Sequence, residues 1–280
     1  MKRAGLLLLA VVPLVATAAC LAGGAPDRSD ARNGAGNGTG NGVREPGLAA
    51  PAKKDLAQKL VSSAENSTLD WRGQYGYVED IDDGRGYTAG LIGFCTGTHD
   101  LLTLVERYTK DHPDNGLARY LPALREVDGS ASHKGLDPGF TKAWKAEASK
   151  PAFRAAQDSI RDRGYFDPAV RRAERDGLGA LGQFIYYDAM VMHGPGTGPR
   201  SFHGLRAAAM KKADPPSRGG GEKAYLGAFL DVRRAAMKRE EAHRDTSRVD
   251  TAQRKFLDEG NLALDAPLTW RVYGETYRVP

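Results

Sequence analysis

Gly177-Leu178-Gly179-Ala180-Leu181-Gly182-Gln183-Phe184-Ile185-Tyr186-Tyr187-Asp188-Ala189-Met190-Val191-Met192 is the stretch that decides the fold class. Wound as a helix, it is apolar on most of its circumference, and a helix hydrophobic all round belongs inside a protein. A central buried helix is therefore expected over Gly177 to Met192. Asp188 lies within it, and a carboxylate taken out of water is costly unless cations or hydrogen-bond donors meet it. Arg233 and Arg248, on later helical stretches, are the candidate partners.

Helical spacing recurs on both sides of this segment. Leu56, Leu60, Val61 and Ala64 share one face of a helix running from Asp55 to Glu65, which puts Glu65 near the helix end, one step beyond the apolar stripe. Further helices are expected over Asp100 to Tyr108, Leu117 to Leu124, Thr141 to Ala148, Ala152 to Arg163, Ala169 to Arg175, Phe202 to Lys212, Lys223 to Arg239 and Thr251 to Glu259. β-Leaning sequence is confined to Tyr87 to Phe94, punctuated by Gly90 and Gly93, and to an extended piece at Leu268 to Tyr273. No internal repeat is visible. These patterns imply a mainly α fold, of the α+β class, with a small β element.

The chain has 280 residues, with 40 Lys plus Arg against 35 Asp plus Glu. Outside the first 44 residues, 35 basic and 33 acidic side chains remain, a balance too even to argue for nucleic acid or another anionic partner. At 41% hydrophobic and 27% charged, the composition is that of a globular chain and excludes a disordered or collagen-like body. The N-terminus reads as an export signal: Lys2 and Arg3 precede the apolar run Leu6 to Val15, which is shorter than the ~20 residues of a membrane span. Two processing readings stay open over residues 1–20. Ala16-Thr17-Ala18 suits ordinary secretory cleavage, whereas the small residues before Cys20 resemble a lipoprotein box that would lipidate Cys20 and anchor the chain to a membrane. Plain secretion is favoured, because Thr17 stands where such a box usually has leucine. Residues 21–50, with eight glycines in thirty positions, read as a flexible linker that buries nothing, leaving 51–280 as the folded domain. Cys95 sits beside Leu91-Ile92-Gly93-Phe94, where a buried inert thiol is expected rather than a nucleophile.

Gly84-Arg85-Gly86-Tyr87-Thr88-Ala89 has the spacing of a dinucleotide-binding turn, but an acidic run stands where a hydrophobic strand is required, and a strand follows instead of a helix. Glu240 and His243 share a helical face yet form a lone E-x-x-H, so neither a metal centre nor a cofactor is expected. No G-x-S-x-G elbow or P-loop occurs. Carboxylates do concentrate. Between positions 65 and 100, Glu65, Asp70, Glu79, Asp80, Asp82, Asp83 and Asp100 stand against Arg72 and Arg85, a local net charge of −5, interleaved with Trp71, Tyr75, Tyr77 and Tyr87. A solvated surface loop would account for the charges alone. Aromatic faces among acids also suit a cleft for a cationic sugar polymer, and glycoside cleavage needs two carboxyl groups, one protonated and one ionised. Glu65, ending a largely apolar helix, is placed to hold a proton, and Asp83, beside Arg85, is placed to stay ionised.

Ser63-Ala64-Glu65-Asn66-Ser67, then Glu79-Asp80-Ile81-Asp82-Asp83-Gly84-Arg85-Gly86-Tyr87-Thr88, then Gly93-Phe94-Cys95-Thr96-Gly97-Thr98 resemble the catalytic segment of the chitosanases of glycoside hydrolase family 46. The likeness continues, in order, through Tyr165-Phe166-Asp167-Pro168, Tyr186-Tyr187-Asp188-Ala189, Met192-His193-Gly194-Pro195 and Asp245-Thr246-Ser247-Arg248-Val249-Asp250, and spans residues 53 to 280. It implies a lysozyme-like, two-lobed, mostly α fold with a substrate cleft between the lobes, and endo-hydrolysis of the β-1,4 linkages of chitosan with inversion. By matching motif, Glu65 would be the general acid, Asp83 the general base, and Thr88 a positioner of the attacking water. Arg85 and Asp100 would contact substrate or tune the acids, with Glu79, Glu240 and His243 as further substrate-binding candidates. Asp188, Arg233 and Arg248 would form an internal salt-bridge network behind the cleft. The implied partner is chitosan, with no nucleic acid, and the chain is expected to act as a secreted monomer. Two alternatives stay open: a lysozyme-type hydrolase of N-acetylated polysaccharide, and a sugar-binding lipoprotein tethered through Cys20, which would need the aromatic cleft but no carboxylate pair.

Overall fold

The structure is a computed structural model that describes residues 47–82, 84–239 and 245–280. Helix α1 (Pro51–Glu65) leads into a three-stranded antiparallel sheet, β1 (Val78–Asp80), β2 (Tyr87–Ala89) and β3 (Phe94–Cys95). Then follow α2 (Asp100–Asp111), α3 (Leu121–Val127), α4 (Phe140–Ala148), α5 (Pro151–Arg161), α6 (Asp167–Arg175), α7 (Ala180–His193), α8 (Phe202–Met210), α9 (Glu222–Lys238) and α10 (Arg254–Asp258). A hairpin of β4 (Leu268–Val272) and β5 (Glu275–Val279) closes the chain.

Two hydrophobic cores organise these elements into two lobes. The larger gathers α1, α6 to α10 and the C-terminal hairpin around α7, whose residues are all buried except Val191. The smaller joins Trp71 and Tyr75 to the sheet and to α2–α5, with Phe140, Trp144 and Phe153 fully enclosed. Each such side chain contributes roughly 1.5–3 kcal/mol, so each lobe has its own source of stability. The polar groups of α7 all find partners, as burial requires. Tyr187 donates to Gln58 Oε1 (2.9 Å) and Tyr186 to Asp176 Oδ2 (2.8 Å), while Gln183 Oε1 accepts the Leu48 N–H (2.7 Å).

That last bond corrects the linker boundary. Leu48 is fully buried in the larger core, so the folded body reaches back into the stretch expected to bury nothing, because an apolar residue there has both a hydrophobic seat and a backbone partner. The export signal, Cys20 and the rest of the linker lie outside the described residues.

Other boundaries shift for local reasons. Gly177 adopts a φ of 80°, so α7 begins only at Ala180. Gly90 and Gly93, at φ 75° and 71°, fold the expected Tyr87–Phe94 strand back on itself, and Ala89 pairs with Phe94. β1 was not expected; it pairs with β2 through Val78–Ala89, Glu79–Thr88 and Asp80–Tyr87. Among the described residues, two π-helical turns interrupt the 3.6-residue rhythm, at Asp162–Phe166 between α5 and α6 and at Arg248–Gln253 before α10. The first carries the chain from Phe153 in the smaller core to Phe166 in the larger.

Candidate active site

Glu65 is the last residue of α1, and the helix end is fixed by its neighbour Ser63. The Ser63 hydroxyl donates to the Leu60 carbonyl (2.7 Å) and accepts the indole N–H of Trp270 on β4 (2.9 Å). The Glu65 side chain is 15% exposed, and Arg248 Nη1 donates to its Oε1 at 2.7 Å. A guanidinium, not hydrocarbon, is thus its close neighbour, which corrects the surroundings expected from the apolar stripe of α1. The same Arg248 donates through Nη2 to Asp188 Oδ1 (2.7 Å), and Arg233 Nη1 stands 2.7 Å from Asp188 Oδ2. Gln253 Nε2 donates to Asp188 Oδ2 (2.6 Å) and its Oε1 accepts from Arg233 (2.9 Å). Arg233 also donates to His193 Nε2 (3.2 Å).

Asp188, Arg233 and Arg248 are 1%, 0% and 2% exposed. Burial opposes ionisation of Asp188, but the attraction and hydrogen bonds of Arg248 and Arg233 outweigh it and hold the carboxyl below the ordinary carboxylate range. Burial lowers Arg233, whereas Asp188 and Glu65 overcome burial at Arg248 and raise it. Two carboxylates and two guanidiniums balance while Glu65 is ionised.

Asp83 lies outside the described residues, within the loop that joins β1 to β2. That loop is held by its backbone. The Arg85 carbonyl accepts both the Gly97 N–H (2.9 Å) and the Thr96 hydroxyl (3.0 Å). Gly86 has a φ of 66°, and a Cβ there would stand 2.3 Å from Thr96 Oγ1, so neither the conformation nor the space admits a side chain. At the foot of the hairpin, Tyr87 stacks on His133 with centroids 4.1 Å apart.

Thr88, on β2, is fully buried, and its hydroxyl lies 3.2 Å from Cys95 Sγ; in this structure it serves sulfur and not solvent. Arg85 Nη1 donates to the same sulfur at 3.3 Å. Asp100 opens α2 and accepts the Cys95 N–H (2.8 Å) and the Thr98 hydroxyl (2.7 Å) on Oδ1. Burial raises its pKa above the ordinary value despite these bonds. Glu79 is exposed on β1 and accepts from the Tyr77 hydroxyl at 3.4 Å.

The predicted residues therefore fall into two clusters: Glu65 with Asp188, Arg233 and Arg248, and Arg85, Thr88 and Asp100 around Cys95. Glu240 and His243 lie outside the described residues. Sequence reasoning missed Gln253 and His193 as members of the buried network, although His193 stands in one of the motifs above. Tyr165, on the first π turn, also stands in one of those motifs but was given no role; its hydroxyl is pushed up to about 12 by burial and by the nearby Asp100 and Cys95. Among the described residues no group of three His, Cys, Asp or Glu could hold a metal. Glu65 ends a helix of the larger lobe, and the strands on either side of the Asp83 loop belong to the smaller.

A family model described as glycosyl hydrolase family 46 matches residues 59–268. The chain belongs to glycosyl hydrolase family 46. It is 62% identical over 231 residues to a chitosanase of Streptomyces sp. (strain N174), covering 82% of this chain and 83% of that one. A solved chitosanase co-crystallised with substrate has a TM-score of 0.80 at 56% identity, over 84% of this chain and 99% of that chain. A Gynuella sunshinyii family 46 chitosanase in complex with chitotetraose has a TM-score of 0.73 at 33% identity, over 81% and 97% of the two chains. This family 46 protein is accordingly a glycoside hydrolase, and the non-catalytic alternative is set aside.

Proposed function

We propose that this hydrolase is an endo-acting chitosanase that cuts β-1,4 linkages between glucosamine units with inversion at the anomeric carbon. The observation that carries the reading is the position of Glu65: a partly exposed carboxyl at the outer end of an otherwise buried charge network, in a chain whose similar proteins are named chitosanases. Glu65 gives its proton to the departing glycosidic oxygen. The carboxylate that results is the state Arg248 already accommodates at 2.7 Å, so the charge formed in the reaction is met by a fixed partner. Asp83, on the hairpin of the other lobe, takes a proton from the water that attacks the opposite face of the sugar. An inverting pair stands ~6.5–9.5 Å apart to leave room for that water. The acidic and aromatic stretch from Glu65 to Asp100 suits a polycation, which favours chitosan over N-acetylated polymer.

Digestion of chitosans of graded acetylation, followed by NMR of the newly formed reducing end, tests this. The α-anomer should appear first; initial β-anomer would overturn inversion, and preference for fully acetylated polymer would favour the lysozyme-type alternative. We place the chain outside the cell on the strength of Lys2, Arg3 and the apolar run Leu6 to Val15. Mass spectrometry of the mature N-terminus separates a chain cleaved before or after Cys20 from one lipidated on it.

A further inference from the structure

We propose that Cys95 is a positioning residue of this active site, its sulfur acting as a hydrogen-bond acceptor that fixes the Thr88 hydroxyl and the Arg85 guanidinium. The inference rests on the proposed reading of those two residues as parts of the water-activating side of the site. Cys95 is 1% exposed, and burial pushes its thiol up, so the sulfur carries its proton. That proton points at the Gly93 carbonyl, 3.1 Å away, a group that can only accept. The other two contacts then run toward the sulfur: Arg85 Nη1 donates at 3.3 Å, and the Thr88 hydroxyl at 3.2 Å.

The direction of the Thr88 bond matters. A buried hydroxyl commits its proton to an acceptor within reach, and Thr88 is fully buried against the sulfur. With that proton on sulfur, Oγ1 presents lone pairs alone. Toward a water it can only accept a bond, so it does not compete with that water for the base. A water that donates one hydrogen bond to Thr88 and gives its other proton to Asp83 keeps a lone pair for the anomeric carbon. The backbone of Cys95 adds two further ties, pairing with Thr88 across β2 and β3 and donating its N–H to Asp100. One residue that sequence reading left out of the chemistry thus touches three that it included. Its function needs no reactivity, which agrees with the inert thiol expected from the sequence.

The test uses the full chain and chitosan hydrolysis. Cys95→Ala should lower kcat by about tenfold to a hundredfold, with KM changed by no more than about twofold, as misplacement of positioned groups does. The acidic limb of its kcat profile should move to higher pH as Arg85, released from sulfur, supports the ionised base less well. Cys95→Ser, which keeps an acceptor, should recover most of the loss. Combined with Thr88→Val, Cys95→Ala should add little beyond Thr88→Val alone. A Cys95→Ala enzyme with unchanged kcat and pH profile would overturn the inference. So would losses in Cys95→Ala and Cys95→Ser that are equal and merely follow the melting temperature. Glu65→Gln, measured in parallel, separates the two levels: if it stays active, the catalytic reading fails, whereas an inactive Glu65→Gln beside an unaffected Cys95→Ala sinks the role of Cys95 alone.

Discussion

Glu65 and the hairpin that carries Asp83 are held in place by different physics. Glu65 ends a series of alternating charges that runs inward to Asp188 and Arg233, built from α1, α7, α9 and the second π turn; its bond to Arg248 spans 183 positions of sequence. The hairpin is held locally, by two bonds to the Arg85 carbonyl from residues 11 and 12 positions away, by a glycine with no room for a side chain, and by one sulfur. Long-range charge pairs in a dry interior are costly to break, because removing one partner strands the other. Backbone bonds in a surface turn are replaceable by water. Damage to the first region should therefore spread to the fold, while damage to the second should stay with the chemistry.

The largest expected effect is one where both regions fail alike. Glu65→Gln and Asp83→Asn should each lower chitosan hydrolysis by ~10³-fold or more while circular dichroism stays native, since each would delete one of the two proposed proton transfers at nearly the same volume. Activity within about tenfold of the parent in either would remove that residue from its role. Next, Asp188→Ala should cost ~3 kcal/mol or more of stability, read by thermal or urea unfolding, because two buried guanidiniums lose their shared partner. An unchanged melting temperature would dissolve the contrast between the regions.

The network also has a pH signature. Asp188 is more acidic folded than unfolded, so its contribution is fully present above the ordinary carboxylate range, near pH 4, and is lost as pH falls below it toward the depressed folded value. Melting temperatures between about pH 2 and pH 6 should show this loss, and Asp188→Asn should flatten it. In the hairpin, Gly86→Ala should cost roughly 1–3 kcal/mol, with a disproportionate fall in kcat. A stability loss like that of Asp188→Ala, with kcat intact, would reverse the comparison. Smallest of all, Tyr77→Phe removes an exposed 3.4 Å contact to Glu79 and should change stability by less than about 0.5 kcal/mol.

How much of this was legible in the sequence follows the same division. The interior of α7 could be read, since a segment apolar on all sides leaves little choice of environment, and the penalty on a lone Asp188 points to cationic partners. Arg233 and Arg248 could be named because they carry charge. Gln253 carries no charge, His193 enters as the acceptor of an Arg233 N–H, and nothing in their spacing marks them. β1 escaped because Val78–Asp80 is three residues long and mostly acidic, and its strand character comes from pairing with β2 and not from its own composition. The π turns escaped because an inserted residue is silent in a count of apolar periods. The position of Glu65 was foreseen, but its guanidinium neighbour comes from a turn with no periodic signature of its own.

The π turn at Asp162–Phe166 has a geometric consequence of its own. A helix turns by about 100° per residue, so one residue taken up by the turn sets the rotational phase of α6 against α5. Deleting Gly164, where a Cβ would meet nothing within 4 Å, would swing the chain beyond it by about 100°. Phe166 would leave its seat in the larger core, and Tyr165 would turn away from Asp100. The segment works as a dial between the lobes, and the setting is written in the number of its residues more than in their identity.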